Sequence, residues 1–245
     1  MKTYLREQTA RELLINTLEI YRAHIGLLFV IHLIPTLPFN IWSNYLERTT
    51  GELFNIGYYF TSLVDLVPTM AIAIAVSDIC LGHAPGAFRS YARLKGKRID
   101  KILLTYLAFM AGLFFTFILF VVPGVIFYIW FMFTLIVVVL EGTWGRQAFT
   151  RSKALGRGFY WRNLGVMALL TLTCMLFFFV AIFIFEFLAA TLPILSEPLV
   201  YSLFMSLATS LFVPVILVCT VLLYYDMRVR KEAYNNLALT EDLLR

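Results

Sequence analysis

Charge is what this chain most lacks. Of its 245 residues only 14% are Asp, Glu, Lys or Arg, whereas 61% are hydrophobic and 16% aromatic. A water-soluble domain carries about 25% charged residues, because its surface must be solvated. Scarcity on this scale excludes a soluble globule, and the mean hydropathy of +0.83 agrees. Cysteine is nearly absent as well. Cys80, Cys174 and Cys219 stand apart in apolar surroundings with no Cys-x-x-Cys spacing, which excludes a disulfide framework and leaves them as small apolar fillers. No Asn-x-Ser/Thr acceptor occurs. The first 23 residues hold four basic and three acidic side chains with no small-residue cleavage site, so no cleaved signal peptide is expected.

Enzyme signatures are missing too. There is no His-Glu-x-x-His, no Gly-x-Ser-x-Gly and no phosphate-cradling glycine loop, and His24, His32 and His83 are isolated from one another. Nothing in the residues argues for catalysis, a metal or a cofactor. Nothing resembles a nucleic-acid-binding domain.

What the chain does have is long apolar runs. A helix needs about 20 apolar residues to cross a core of roughly 30 Å. Six such spans are expected, over about 23–46, 53–81, 102–122, 124–141, 163–187 and 198–225. Residues 102–140 contain no charged or histidine side chain, and as helix they would extend about 58 Å at ~1.5 Å per residue. That is two crossings, with Pro123-Gly124 as the turn. The fold class expected is therefore all-α, an integral membrane bundle of three helical hairpins in one domain.

Orientation follows from Lys and Arg. Nineteen of the twenty lie in the N-terminal segment, the loops after spans two and four, and the tail 226–245; only Arg48 falls elsewhere, beside Glu47 and Glu52. Both termini are expected on the cytoplasmic side. Thr9-Ala10-Arg11-Glu12 has the spacing of a capping box. It opens an amphipathic helix over 9–22, with Ala10, Leu13, Leu14, Leu18 and Tyr21 on its apolar face. Gly86–Gly96 and Gly145–Gly156 read as two more interfacial helices, which share Ala87-Phe88 and Ala148-Phe149 as in a degenerate repeat. Trp42, Trp144 and Trp161 fall at expected interfaces, while Trp130 is expected inside the bundle.

Three groups of residues stand out as candidate sites. Asp65 lies within span two and His32 at a similar depth in span one, so an Asp–His pair could relay a proton or meet a polar substrate; a carboxylate at the bilayer centre costs about 2.5–3.5 kcal/mol and must face the bundle or a wet cavity. Glu141 with Arg151, and Asp226 with Arg228 or another arginine of its layer, are candidate ion pairs at the inner interface. Arg89, Arg93, Lys97, Arg98, Arg157 and Arg162 interleave with Phe88, Tyr91, Phe149, Phe159, Tyr160 and Trp161. They are candidate contacts to anionic headgroups, each worth about 1 kcal/mol near a charged leaflet.

Val121-Val122-Pro123-Gly124-Val125-Ile126 leads to Val139-Leu140-Glu141-Gly142. After it come Ala148-Phe149-Thr150-Arg151-Ser152-Lys153-Ala154-Leu155 and, at the tail, Leu223-Tyr224-Tyr225-Asp226-Met227-Arg228-Val229-Arg230-Lys231-Glu232. Together these stretches resemble a prokaryotic multi-pass family. It includes the membrane domain attached to some glycerophosphoryl diester phosphodiesterases and the uncharacterised YciC-like inner-membrane proteins. The tail suits the phosphodiesterase-type branch better. The resemblance implies a cytoplasmic-membrane protein of a bacterium or archaeon with no assigned catalytic residues; the phosphodiesterase chemistry sits in a separate soluble domain and is not carried over. The expected function is a non-enzymatic scaffold or accessory in envelope or lipid organisation, in contact with membrane lipids and with a protein partner or a second copy. The competing expectation is a small transporter or lipid-handling protein with a midplane site at Asp65 and His32.

Overall fold

The computed structural model describes residues 4–50, 63–94 and 98–232. Lys2, Glu52, Lys95, Lys97, residues 53–62 of the second expected span and the tail beyond Glu232 lie outside the described residues. The described chain is helical throughout, with no strand. Its helices are α1 (Ala10–Thr50), α2 (Leu66–Cys80), α3 (Ala87–Leu94), α4 (Ile99–Leu119), α5 (Val121–Phe131), α6 (Thr134–Glu141), α7 (Arg146–Gly156), α8 (Tyr160–Thr191) and α9 (Pro198–Glu232). Five stretches are long and apolar enough to cross a membrane: Ala10–Ser43, Ile99–Leu119, Val121–Glu141, Tyr160–Thr191 and Pro198–Glu232. Helix α2 is apolar but only 15 residues long, and it runs almost wholly buried at the centre of the packing. The three cysteines are buried and free.

The chain folds as a packed end and an apolar end. Leu13, Ile20, Ile72, Val137, Leu222 and Tyr225 belong to one buried cluster at the end that carries the charges. Phe114, Phe115 and Ile118 of α4 and Leu172, Phe183 and Phe187 of α8 are exposed. Helices with apolar surface all round belong in lipid.

Helix α1 starts on the capping box. The Thr9 amide donates to Glu12 Oε2 at 2.8 Å and the Glu12 amide donates to Thr9 Oγ1 at 3.2 Å, so two free amides of the first turn are satisfied reciprocally. The sequence predicts a separate interfacial helix ahead of span one. The helical run is broken close to that boundary: His24, at φ −128° and ψ 21°, is non-helical and kinks the stretch from Ala10 against the span that follows. The buried face differs from the expected one, being Leu13, Asn16, Thr17, Ile20 and Tyr21, while Leu18 is exposed. The polar pair can turn inward because each finds a partner: Asn16 Nδ2 donates to Gln8 Oε1 at 2.7 Å and Thr17 Oγ1 to the Leu13 carbonyl at 2.7 Å.

Proline removes a backbone hydrogen bond inside two of these helices, and a hydroxyl lies at or beside each freed carbonyl. Pro35 cannot bond the carbonyl of Ile31, four residues back, and the Tyr91 hydroxyl from α3 donates to that carbonyl instead. Burial pushes the Tyr91 phenol up to about 12, so it stays a donor at neutral pH. Pro214 interrupts α9, and one carbonyl beyond the freed Ser210, that of Leu211, accepts the Tyr21 hydroxyl at 2.6 Å.

The turn between spans three and four sits earlier than expected. Phe120, extended at φ −167° and ψ 155°, separates α4 from α5. Pro123 falls in the first turn of α5, where a missing amide costs nothing. A close approach holds this hairpin: a Cβ at Gly112 would lie 2.4 Å from the Phe127 ring, and one at Gly124 would lie 2.6 Å from the Phe117 ring. A second break divides α5 from α6. The Ser152 hydroxyl of α7 fills it, donating to the Trp130 carbonyl at 3.1 Å and accepting from the Phe133 amide at 3.2 Å. Trp130 is thus half-buried at this break, with the Lys153 ammonium 3.6 Å above its ring, and not inside the bundle.

Helices α2 and α6 each end just before a glycine with positive φ, Gly82 at 74° and Gly142 at 71°. Each then leads into a short amphipathic helix that buries a serine, Ser90 or Ser152. The Ala-Phe similarity therefore marks two units of matching local structure.

Helix α9 packs along α1 through buried Ser202, Ser206 and Ser210, spaced by four. Asn40 Nδ2 donates to Ser206 Oγ at 3.0 Å, and His32 Nδ1 lies 2.9 Å from Ser210 Oγ. Small residues at this spacing let membrane helices approach closely. Leucine at position 206 should wedge the pair apart at a cost of about 1–3 kcal/mol. The expected outcome is a lowered thermal midpoint in detergent for Ser206→Leu and a much smaller shift for Ser206→Ala.

Candidate functional site

Three apolar helices carry an acid at or near their C-terminal end: Asp78 on α2, Glu141 on α6 and Asp226 on α9. At Asp78 and Glu141 the last carbonyls of the helix already present negative charge, so an acid there is unfavourable alone; Asp226, six residues before the end of α9, is unfavourable alone because it is buried. Each is answered by an arginine from another element. Arg93 of α3 donates to Asp78 at 2.7 Å, Arg151 of α7 to Glu141 at 2.8 Å, and Arg162 of α8 to Asp226 at 2.7 Å.

The Asp226 group is the most connected. Its side chain is 0% exposed and accepts from Arg162 Nη1, from Arg230 Nε at 3.1 Å, and from the Gln8 amide at 2.7 Å. The Gln8 carbonyl in turn accepts from Arg162 Nη2 at 2.5 Å and Arg230 Nη2 at 2.7 Å. The backbone of one residue, Gln8, therefore joins the N-terminal segment, the start of α8 and the last turns of α9. Arg230 also reaches Glu7 at 3.0 Å, which balances the charges.

The Glu141 group is a ring. Arg151 grips Glu141 with two nitrogens, at 2.8 and 3.1 Å, and pairs with Glu232 as well. Arg228 donates to Glu232 at 2.9 Å and lies 3.8 Å from Glu141. The buried Tyr224 hydroxyl donates to Glu141 at 2.8 Å. Burial works against the charge on Arg151, but its hydrogen bonds to Glu232 and Glu141 outweigh that and hold its pKa above the usual guanidinium range.

The expected ion pairs are thus partly rearranged. Glu141 meets Arg151. Asp226 does not meet Arg228, since residues two apart on a helix face different sides; Arg228 turns to Glu232, and Asp226 takes Arg162 and Arg230. Gln8, Tyr224, Arg230 and Glu232 were not singled out as site residues, although Asp226–Arg230 and Arg228–Glu232 have the i,i+4 spacing that pairs charges on a helix.

The expected headgroup contacts divide into two sets. Arg93 and Arg162 are committed to buried carboxylates. Arg89 and Arg157 are exposed and have no ion pair among the described residues, and Arg98 lies 3.9 Å from an equally exposed Asp100. Beside them Phe88 is 87% and Trp161 83% exposed. Lys97 lies outside the described residues.

Asp65 and His32 are not bonded to each other. His32 is buried and engaged with Ser210. Asp65 stands exposed at the N-terminus of α2, where its carbonyl, and not its carboxylate, takes the Thr69 hydroxyl at 2.7 Å. Ser210 holds Nδ1 of the His32 ring, and no hydrogen bond among the described residues joins the ring to Asp65.

No protein-family model, curated protein or solved structure matches the chain.

Removing the guanidinium from Arg162 leaves Asp226 buried with less compensation, which should cost about 3–5 kcal/mol. A double-mutant cycle in detergent checks this: Arg162→Gln should be strongly destabilising, and adding Asp226→Asn should recover part of the loss.

Proposed function

We propose that this is a multi-pass protein of the cytoplasmic membrane of a bacterium or archaeon, with six spans in three hairpins and both termini inside. Its role is that of a non-enzymatic scaffold or accessory in envelope or lipid organisation. The observation that carries this is the division of the arginines. One set locks the helix ends together through buried carboxylates. The other set, Arg89, Arg98 and Arg157, is exposed, reaches no buried carboxylate among the described residues, and stands beside the exposed rings of Phe88 and Trp161. Aromatic rings with cations at a membrane–water boundary suit contact with anionic headgroups. A rigid end that presents such a rim is a docking platform for the inner leaflet and for a protein partner or second copy. The similarity of residues 121–162 and of the tail to the multi-pass family of the phosphodiesterase membrane domains fits the same assignment. A transporter would need Asp65 and His32 to share a polar site; no hydrogen bond among the described residues joins them, and Nδ1 of His32 is held by Ser210.

Orientation is tested with single-cysteine variants in a background lacking the three native cysteines. An impermeant maleimide should label Arg89→Cys and Arg157→Cys in inverted vesicles, and Glu197→Cys in right-side-out ones. Function is tested by mass spectrometry of lipids retained in mild detergent. Anionic lipid should be enriched on the wild type, reduced on Arg89→Gln/Arg98→Gln/Arg157→Gln and unchanged on Asp65→Asn. Loss of lipid on Asp65→Asn alone would favour the midplane site.

A further inference from the structure

Helix α7 carries cations on two faces. Arg151 points to Glu141 and Glu232. Arg146 and Lys153, seven residues apart and so on one face, line a groove of about 590 Å³ against α4 and α5. The other walls are apolar: Leu104 and Ala108 of α4, Phe131 of α5 and Phe149 of α7. The edge ring contact of Phe131 with Phe149, at 5.1 Å between centroids, shapes one side. A hydrogen bond from the Gly145 amide to Thr105 Oγ1, at 2.9 Å, ties the start of α7 to α4. Neither Arg146 nor Lys153 has an acidic partner among the described residues; Lys153 rests over the Trp130 ring with its charge uncompensated.

We propose that this groove binds one anionic phospholipid, its phosphate between Arg146 and Lys153 and an acyl chain against Leu104, Ala108 and Phe131. Charge complementarity and the apolar walls select the occupant together. A soluble anion would leave the walls wetted, and a zwitterionic lipid would bring, with its phosphate, a cation that Arg146 and Lys153 repel. The proposal rests on the basic end meeting lipid, but it names a discrete site where the exposed arginines offer a diffuse one.

The test is native mass spectrometry of the full chain in detergent, with phosphatidylglycerol or phosphatidylcholine added at equal concentration. At about 1 kcal/mol per cation, two cations give a preference for phosphatidylglycerol of about thirty-fold. Wild type should show that preference for one bound lipid. Arg146→Gln/Lys153→Gln should abolish it, Arg146→Lys/Lys153→Arg should keep it, and Ala108→Phe, which fills the groove but leaves the charges, should lose the bound lipid. Arg89→Gln/Arg98→Gln/Arg157→Gln should retain that one lipid while losing the rest. A preference that survives Arg146→Gln/Lys153→Gln overturns the site but leaves the exposed rim standing. Inorganic phosphate displacing the lipid at equal concentration, or equal retention of phosphatidylcholine, overturns the choice of occupant. Loss of the bound lipid from the triple variant alone places it elsewhere.

Discussion

The carboxylate of Asp226 sits just past the apolar stretch of α9 and is buried there, out of reach of water. Arg162, Arg230 and the Gln8 amide converge on it, and the rest of the packed end is arranged around that convergence. Taking ions out of water is expensive, and a buried pair with its hydrogen bonds satisfied does little more than offset that expense. What such a pair supplies is register. Arg162 can reach Asp226 only if α8 begins at the level where α9 ends, and Gln8 can join them only if α1 starts there too. Asp78 with Arg93, and Glu141 with Arg151, set the same condition for the other helix ends.

Above this layer the helices hold together by different means. In lipid there is no hydrophobic gain from helix meeting helix, so close packing and interhelical hydrogen bonds take over. The serines of α9 allow that approach to α1, and the tyrosines that reach Ile31 and Leu211 satisfy or reinforce backbone that proline has disturbed. A break in a membrane helix is tolerable only where another group satisfies the freed backbone. Here Tyr91 and Ser152 do so, each from a different helix than the break it serves, while Tyr21 bonds the carbonyl next to the one Pro214 frees.

Most of the helices were legible because apolar runs of this length have one physical outcome in lipid, and the capping box at Thr9 and Glu12 carried its geometry in its spacing. The ion pair of Glu141 with Arg151 was legible for a related reason: Glu141 ends one apolar segment and Arg151 lies ten residues on, in the basic segment that follows it. The partners of Asp226 were not, because Gln8 and Arg162 are far away in sequence and a backbone amide leaves no trace in residue type. The inward turn of Asn16 and Thr17 was hidden likewise, since an apolar face read from hydropathy cannot know that two polar side chains will find acceptors. His32 and Asp65 were placed near each other by depth alone, and depth does not specify which side of a helix faces which neighbour.

The bond between Gln8 and Asp226 spans 218 residues of sequence. During synthesis the amino-terminal helix therefore waits for its partner until nearly the whole chain has been made. At 5–20 residues per second, that wait is about 10–40 s. Through that interval the side of α1 that carries Asn16 and Thr17 has no α9 against it, and the carbonyl of Gln8 lacks Arg162 until late and Arg230 until the end. The earliest segment to enter the bilayer is the last to be locked. A chain truncated before Asp226 would present an open amino-terminal helix, a ready mark by which quality control could tell an unfinished copy from a finished one.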